Sequence, residues 1–155
     1  MEEKKITTKT IVANKRAAFE FFILDRYEAG VVLDGGEVKS IRAGKLNLSD
    51  SFVVVENRTP VLRNAHIAPY TKGSYFNSDS RRDRVLLLNR KEIVKIYAQV
   101  REKGLAVIPL RAYFYGSLIK IEIGVCRGKQ LHDKRDALKQ KDLDRQSKRE
   151  MAEYR

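Results

Sequence analysis

The sequence has little of the chemistry that metal proteins and most enzymes use. Its 155 residues include one cysteine, Cys126, and two histidines, His66 and His132. A single cysteine excludes an internal disulfide and provides no zinc cluster, and no Cys–His or His–His spacing suits a metal. We therefore expect a reduced, cytoplasmic protein with no metal and no cofactor.

Long apolar segments are also missing. The N-terminal residues lack the apolar run of a signal peptide. Runs such as residues 21–24 are far shorter than the ~20 residues that a membrane-spanning helix needs. We expect no membrane partner.

Catalytic patterns are equally sparse, so we expect that the chain is not an enzyme. The carboxylates are scattered rather than paired, which argues against two-metal nuclease chemistry. Gly35-Gly36 precedes a predicted helix, but two glycines are a weak phosphate-loop signal. His132-Asp133 could in principle support metal-free ribonuclease chemistry, although a tail does not supply the preorganised pocket that such chemistry needs. A nuclease remains an alternative that incubation with labelled RNA would test.

What the sequence has in excess is positive charge. It holds 32 Lys and Arg against 20 Asp and Glu, a net charge of +12 with a pI near 9.9. This surplus repels itself, and a polyanionic partner relieves the repulsion. RNA, DNA and anionic membrane all qualify by charge, and membrane is the weakest of the three. With 43% apolar residues the chain can still build one core.

The hydrophobic pattern predicts a mainly β fold of five or six short strands and two helices. Gly30 within the first strand suggests a bulge or sharp bend. The spacing favours a small closed barrel of the OB type. The predicted strands cover residues 18–33, 51–56, 61–67, 105–115 and 118–126, and the predicted helices cover residues 37–44 and 90–103.

The composition changes along the chain and predicts three regions: a flexible N-terminus over residues 1–13, an RNA-binding domain over 14–130, and a basic tail over 131–155. Residues 127–155 hold 10 Lys or Arg and 6 Asp or Glu. They have too few large apolar side chains to offset the entropy of ordering. We expect the tail to be disordered when free, and its Asp, Lys, Arg and Gln content permits it to become helical when bound.

Four segments carry candidate RNA-binding groups. The first is the basic segment Asn14, Lys15 and Arg16, just before the first predicted strand. In the second segment, Glu37 either accepts hydrogen bonds from RNA or favours the helix N-terminus electrostatically. Lys39 and Arg42 of that helix are further candidates. The third segment is a loop over residues 70–84 with Tyr75, Phe76, Arg81, Arg82 and Arg84. The fourth is residues 127–135, whose glycine and cations could form a phosphate clamp.

Several long motifs, in order along the chain, closely resemble the SsrA-binding protein family (small protein B). They are residues 29–33, 37–42, 64–70 and 128–135. The resemblance implies an OB-fold barrel that binds the tRNA-like domain of transfer-messenger RNA (tmRNA) and partners it in trans-translation, the rescue and tagging pathway of stalled ribosomes. It also implies a tail that enters the decoding centre and folds along the empty mRNA channel. Alanyl-tRNA synthetase and elongation factor Tu would be indirect partners through tmRNA.

The resemblance also assigns individual residues. Four match motif positions for tmRNA contact: Asn14, Glu37, Leu88 and Lys129. Four more match the junction that engages the decoding centre: His132, Asp133, Lys134 and Arg135. The charge and the tail alone also fit a ribosomal protein or another structural ribonucleoprotein component that binds rRNA, so this alternative stays open.

Overall fold

The computed structural model describes residues 7–71, 79–129 and 139–146, and most of these residues lie in antiparallel strands. The helices are α1 (Lys15–Glu20), α2 (Gly35–Arg42) and α3 (Arg90–Lys103), and residues 139–146 are also helical. The strands are β1 (Thr8–Ala13), β2 (Phe21–Val31), β3 (Leu46–Asn47), β4 (Phe52–Glu56), β5 (Thr59–Arg63), β6 (His66–Ile67), β7 (Arg84–Leu87), β8 (Ala106–Tyr115) and β9 (Leu118–Gly128).

Six of these strands close into a ring. The order is β8, β4, β5, β7, β2 and β9, and the ring closes because β9 pairs with both β2 and β8. Strand β1 pairs with residues 111–115 of β8, past Val107, where β8 pairs with β4. Closure gives every strand of the ring two neighbours and so removes exposed sheet edges. The predicted mainly β barrel is confirmed.

The interior of the barrel is apolar, as the alternation in β9 predicts. Ile121, Ile123 and Val125 are buried there. Ile41 of α2 and Ile96 of α3 join the same core, which anchors both helices to the barrel. A second, smaller cluster lies at α1 and consists of Ala17, Ile108, Leu110 and Cys126.

The prediction of a flexible segment over residues 1–13 is wrong for residues 8–13, and residues 1–6 lie outside the described residues. Thr8–Ala13 forms β1 and pairs with the second half of β8. Threonine, valine and isoleucine are β-branched and pack well on a pleated surface. The polar composition of residues 1–13 therefore did not indicate the strand β1.

The first predicted strand is also wrong at its start. Lys15–Glu20 is the helix α1, and β2 begins at Phe21 rather than at Ala18. Lysine, arginine and alanine favour helices, and an asparagine before them suits the N-cap position. The alternation of Phe19 with Phe21 did not reveal this boundary.

Gly30 has a different role from the predicted bulge. The register of β2 against β9 shifts between Ile23 and Asp25 instead. A Cβ atom at Gly30 would lie 3.2 Å from Leu87 Cβ. Glycine therefore allows the close approach of β7 to β2.

The remaining elements follow the predictions closely. Gly44 and Gly104 adopt positive φ angles of 77° and 60° just after α2 and α3, as expected for glycines that end helices. Asn57 and Arg58 make the β4–β5 turn with positive φ angles. The predicted strand over residues 61–67 is interrupted at Asn64, which has a φ of 64°, so β6 pairs with β3 in a separate ribbon. Among the described residues, no helix has both the length and the apolar character needed to cross a bilayer.

Candidate nucleic-acid interface

The N-terminus of α2 holds Glu37 in a reciprocal pair of hydrogen bonds. Asp34 Oδ1 accepts a bond from the Glu37 amide (2.8 Å), and Glu37 Oε1 accepts one from the Asp34 amide (3.1 Å). Such a capping box satisfies two backbone donors at once, and a carboxylate is favoured at this end of the helix dipole. This geometry supports the helix-stabilising role of Glu37, and a direct RNA contact stays a prediction.

Two arginines enclose the Glu37 carboxylate. Arg84 Nε donates to Glu37 Oε2 (2.6 Å), and the Arg82 guanidinium donates to Oε1. Glu37 and Arg84 are only 6% and 1% exposed, whereas the Arg82 side chain is 30% exposed. Both carboxylate oxygens of Glu37 therefore already accept charge-assisted bonds. Because it is the most exposed of the three side chains, Arg82 is the one that faces solvent.

Arg84 corrects the expectation that all three loop arginines are available to RNA. It is the first residue of β7, and its Nη1 and Nη2 donate to the carbonyls of Ala65 (2.7 Å) and Ser80 (3.1 Å). A buried guanidinium is tolerated only when its charge and its donors are matched. Arg84 therefore ties residues 80–84 to α2.

Asn14 has a structural role at the start of α1. It is 7% exposed, and its Nδ2 donates to the carbonyls of Leu48 (3.2 Å) and Pro109 (2.9 Å). Its amide donates to Leu110 O (2.7 Å). Asn14 thereby fastens the start of α1 to β8 and to the segment before β4.

The cations that follow Asn14 are exposed on α1 and connect to the α2 region. Lys15 and Arg16 both face solvent. Arg16 pairs with Asp50 (3.2 Å), whose backbone carbonyl accepts from Asn64 Nδ2 (3.0 Å). Asn64 Oδ1 in turn accepts from Arg81 Nη1 (3.0 Å). We call this series of contacts, Arg16–Asp50–Asn64–Arg81, the polar strip; it joins α1 to the segment that holds Arg82.

The residue that follows β9 contacts the same helix. The Lys129 amide donates to Glu20 O (2.9 Å), and Lys129 Nζ donates to Ala18 O (3.0 Å). The Phe22 ring lies 5.0 Å from the Arg127 guanidinium and 5.1 Å from Lys129 Nζ. We call Phe22, Arg127 and Lys129 the Phe22 platform. It brings Lys129 to α1, which also carries Lys15 and Arg16, although the two sites are more than 100 residues apart in sequence.

Leu88 lies just after β7, half-buried, and packs against the main core. Its outer side lines an open cleft of about 490 Å³ together with Arg26, Glu28 and Lys120. Hydrogen bonds from Lys120 and then from Tyr113 lower the pKa of Glu28, so this carboxylate is ionised at neutral pH. In this cleft Glu28 is therefore a charged partner of Lys120, whose Nζ donates to Glu28 Oε1 (2.8 Å).

The remaining predicted residues divide into two groups. Lys39 is half-buried and Arg42 is exposed, two and five residues beyond Glu37 on α2. The others lie outside the described residues: Tyr75, Phe76, His132, Asp133, Lys134 and Arg135.

The structure adds residues that sequence reasoning missed. Phe22 gave a signal only as part of an apolar run, and Asp50 gave none, because its partner Arg16 is 34 residues away. Asn64 lay in a recognised motif but had no assigned role. Within residues 7–71, 79–129 and 139–146, no group of three or more His, Cys, Asp or Glu residues could hold a metal ion.

Comparison with known proteins gives a consistent result. The sequence model described as "SmpB protein" matches residues 11–153. The SsrA-binding protein of Gloeothece citriformis is 48% identical over 155 residues, which cover 99% of this chain and 100% of that protein. The SsrA-binding protein of Microcystis aeruginosa is 53% identical over 145 residues, which cover 93% of this chain and 92% of that protein.

A solved structure supports the same relationship. It is described as "tmRNA-SmpB: a journey to the center of the bacterial ribosome", and its matching chain is 43% identical with a TM-score of 0.65. The match covers 82% of this chain and 93% of that one. With a family match over most of its length and relatives near 50% identity, this chain belongs to the SmpB protein family.

Proposed function

We propose that this chain is an RNA-binding adaptor, not an enzyme, that binds tmRNA and delivers it to stalled ribosomes for trans-translation. The observation that carries the proposal is that Lys129 of the Phe22 platform is hydrogen-bonded to α1, the helix that also carries the exposed Lys15 and Arg16, in a chain whose relatives are named SsrA-binding proteins. Cations beside a partly exposed aromatic ring suit phosphates and unpaired bases. A structural ribonucleoprotein component is less favoured, because the relatives are named for SsrA.

The finer parts of this function are proposals with the same basis. The barrel binds the tRNA-like domain of tmRNA through the Phe22 platform, Lys15, Arg16, Arg81 and Arg82, with Lys39 and Arg42 extending the surface along α2. The tail senses the decoding centre and the empty mRNA channel. Contacts with alanyl-tRNA synthetase and elongation factor Tu are indirect, through the RNA, and the process takes place in the cytoplasm.

The glutamate at the α2 N-terminus acts indirectly in this proposal. Its carboxylate is occupied by Arg82 and Arg84. Glu37 therefore positions Arg82 at the surface, where the guanidinium can reach a phosphate.

A salt titration tests the RNA-binding proposal. Affinity for the tRNA-like domain is measured by gel shift against an unrelated duplex of equal length. The double variant Arg16→Gln/Arg81→Gln should make the negative slope of log K against log salt shallower by about 0.9 for each lost phosphate contact. The matched control is Lys91→Gln/Lys103→Gln, two exposed cations of α3, which should leave the slope unchanged. Equal affinity for both RNAs at physiological salt would overturn the proposal.

Removal of residues 133–155 separates binding from delivery. The shortened chain should keep its affinity for the tRNA-like domain and lose tagging activity on ribosomes stalled at the end of a truncated message. Retained tagging would refute the role of the tail, and lost affinity would show that the tail belongs to the primary RNA site.

A further inference from the structure

Helix α3 has a second apolar stripe that the core leaves largely exposed. Ile96 faces the core, but Val94 and Tyr97 remain 63% and 45% exposed. The stripe residues recur at intervals of three and four along one helix face, the spacing of an interacting surface. The apolar members are Ile93, Val94, Tyr97 and Val100, of which Val100 also packs against the main core, and Arg90 and Arg101 lie at the two ends.

This stripe forms one wall of a groove whose other wall is β4. Two adjoining cavities of about 570 and 450 Å³ share Val55 and Tyr97 in their linings. Phe52, which is 40% exposed, lies in the wall of the smaller cavity. The 14 residues of α3 give the groove a length of about 21 Å, roughly four helical turns. We call it the α3–β4 groove.

The rim of the α3–β4 groove is cationic. Arg58 and Arg90 line the larger cavity and Arg101 the smaller one. Arg101 Nη1 donates to the Tyr97 hydroxyl (3.0 Å), and within the described parts of the chain none of the three arginines forms an ion pair. The residues that line the two cavities include no carboxylate. An apolar floor between unpaired guanidinium groups is complementary to an apolar surface flanked by carboxylates.

We propose that the α3–β4 groove docks an amphipathic, acidic helix of a protein partner, a function separate from RNA binding. The partner would present apolar side chains at i, i+3, i+4 and i+7 with carboxylates on both sides. Strand addition does not fit, because β4 already pairs with β5 and β8.

Other occupants fit the groove less well. Branched aliphatic side chains, which make most of the floor, offer no flat surface for nucleobases, and nucleic-acid interfaces are polar. A second copy would bring its own arginine rim against this one. The basic C-terminal region, with 10 cations and 6 anions over residues 127–155, would meet the same repulsion.

Fluorescence anisotropy of two labelled 18-residue peptides tests this proposal with the full chain. One peptide is an amphipathic helix of leucine, alanine and glutamate, and the other has lysine in place of glutamate. The glutamate peptide should bind about ten-fold or more tightly than the lysine peptide. Val94→Asp and Arg90→Glu should each weaken its binding about ten-fold.

The control is Leu118→Asp, which places the same charge on another exposed apolar residue (59% exposed) in the β8–β9 hairpin. Leu118→Asp should leave peptide binding intact, and Val94→Asp should leave tmRNA affinity intact, which separates this proposal from the RNA-binding one. Equal binding of both peptides, or binding that survives Val94→Asp, overturns the proposal. So does competition by single-stranded RNA or self-association that Val94→Asp abolishes, because each assigns the groove to another occupant.

Discussion

The α2 region and the α1 region both contain residues expected to contact RNA, yet their charges are arranged in opposite ways. At α2, Glu37 and Arg84 are buried and satisfy each other. At α1, the buried cluster is apolar and uncharged, and the cations Lys15, Arg16 and Arg127 are exposed. A charged residue in a basic protein is therefore not by itself evidence of a contact. Burial decides whether the charge serves the fold or the partner.

The largest expected effect separates the two regions by stability. Glu37→Ala removes one side of a buried ion pair and leaves Arg84 uncompensated, so the free energy of unfolding should fall by about 3–5 kcal/mol. Urea denaturation followed by circular dichroism measures this change. Glu37→Gln, which keeps the acceptor that caps α2, should lose less. If Glu37→Ala unfolded at the same urea concentration as the parent, the structural role of Glu37 would be wrong.

The start of α1 should show an intermediate effect. Asn14→Ala leaves the buried carbonyls of Leu48 and Pro109 without their side-chain donor, which costs about 1–3 kcal/mol of unfolding free energy. RNA affinity of the folded fraction should change little, because Asn14 is buried. A large loss of affinity with unchanged stability would instead place Asn14 at the RNA.

The Phe22 platform should show the reverse pattern, with affinity lost and stability kept. Lys129→Ala and Phe22→Leu should each weaken binding to the tRNA-like domain about ten-fold, the size of one lost stacking or phosphate contact. The urea midpoint measured on the same samples should move little, because both side chains are partly exposed and neither belongs to a core cluster. The matched control is Lys103→Ala, which removes an exposed lysine at the end of α3. Unchanged affinity in both variants would show that the Phe22 platform is not part of the RNA interface.

The smallest effect concerns the buried thiol beneath α1. Burial raises the pKa of Cys126 to about 11. An acid whose pKa is raised by folding stabilises the fold fully below its unfolded pKa, about 8.5 for cysteine, and this contribution is lost as the pH rises towards 11. At pH 8 the native protein should react with a disulfide reagent about 100-fold more slowly than the unfolded chain. Rapid reaction without unfolding would show that α1 opens readily.

Local patterns predicted much of the fold. Helix α3 matches its predicted bounds, since its apolar spacing and Gly104 are signals carried by neighbouring residues. The β8–β9 hairpin was visible for the same reason. Helix α1 was missed because six residues are too few for a periodicity to outweigh the aromatic alternation that follows.

The candidate site was predictable as a set of cations but not as a geometry. Lys129 and Lys15 were both named from the sequence, yet nothing local indicates that Lys129 is hydrogen-bonded to α1, the helix that carries Lys15. Arg84 shows the converse case. It was grouped with Arg81 and Arg82 as a surface cation, and only its contact with Glu37, 47 residues away, reveals that it is buried.

The sequence by itself determined the barrel class, the excess of positive charge and the family, because strand alternation, composition and ordered motifs are all properties of the linear chain. The tertiary structure alone decided which charged side chains are buried in ion pairs and which are exposed to solvent. That division depends on desolvation, and desolvation is set by neighbours that the fold brings together from distant parts of the chain.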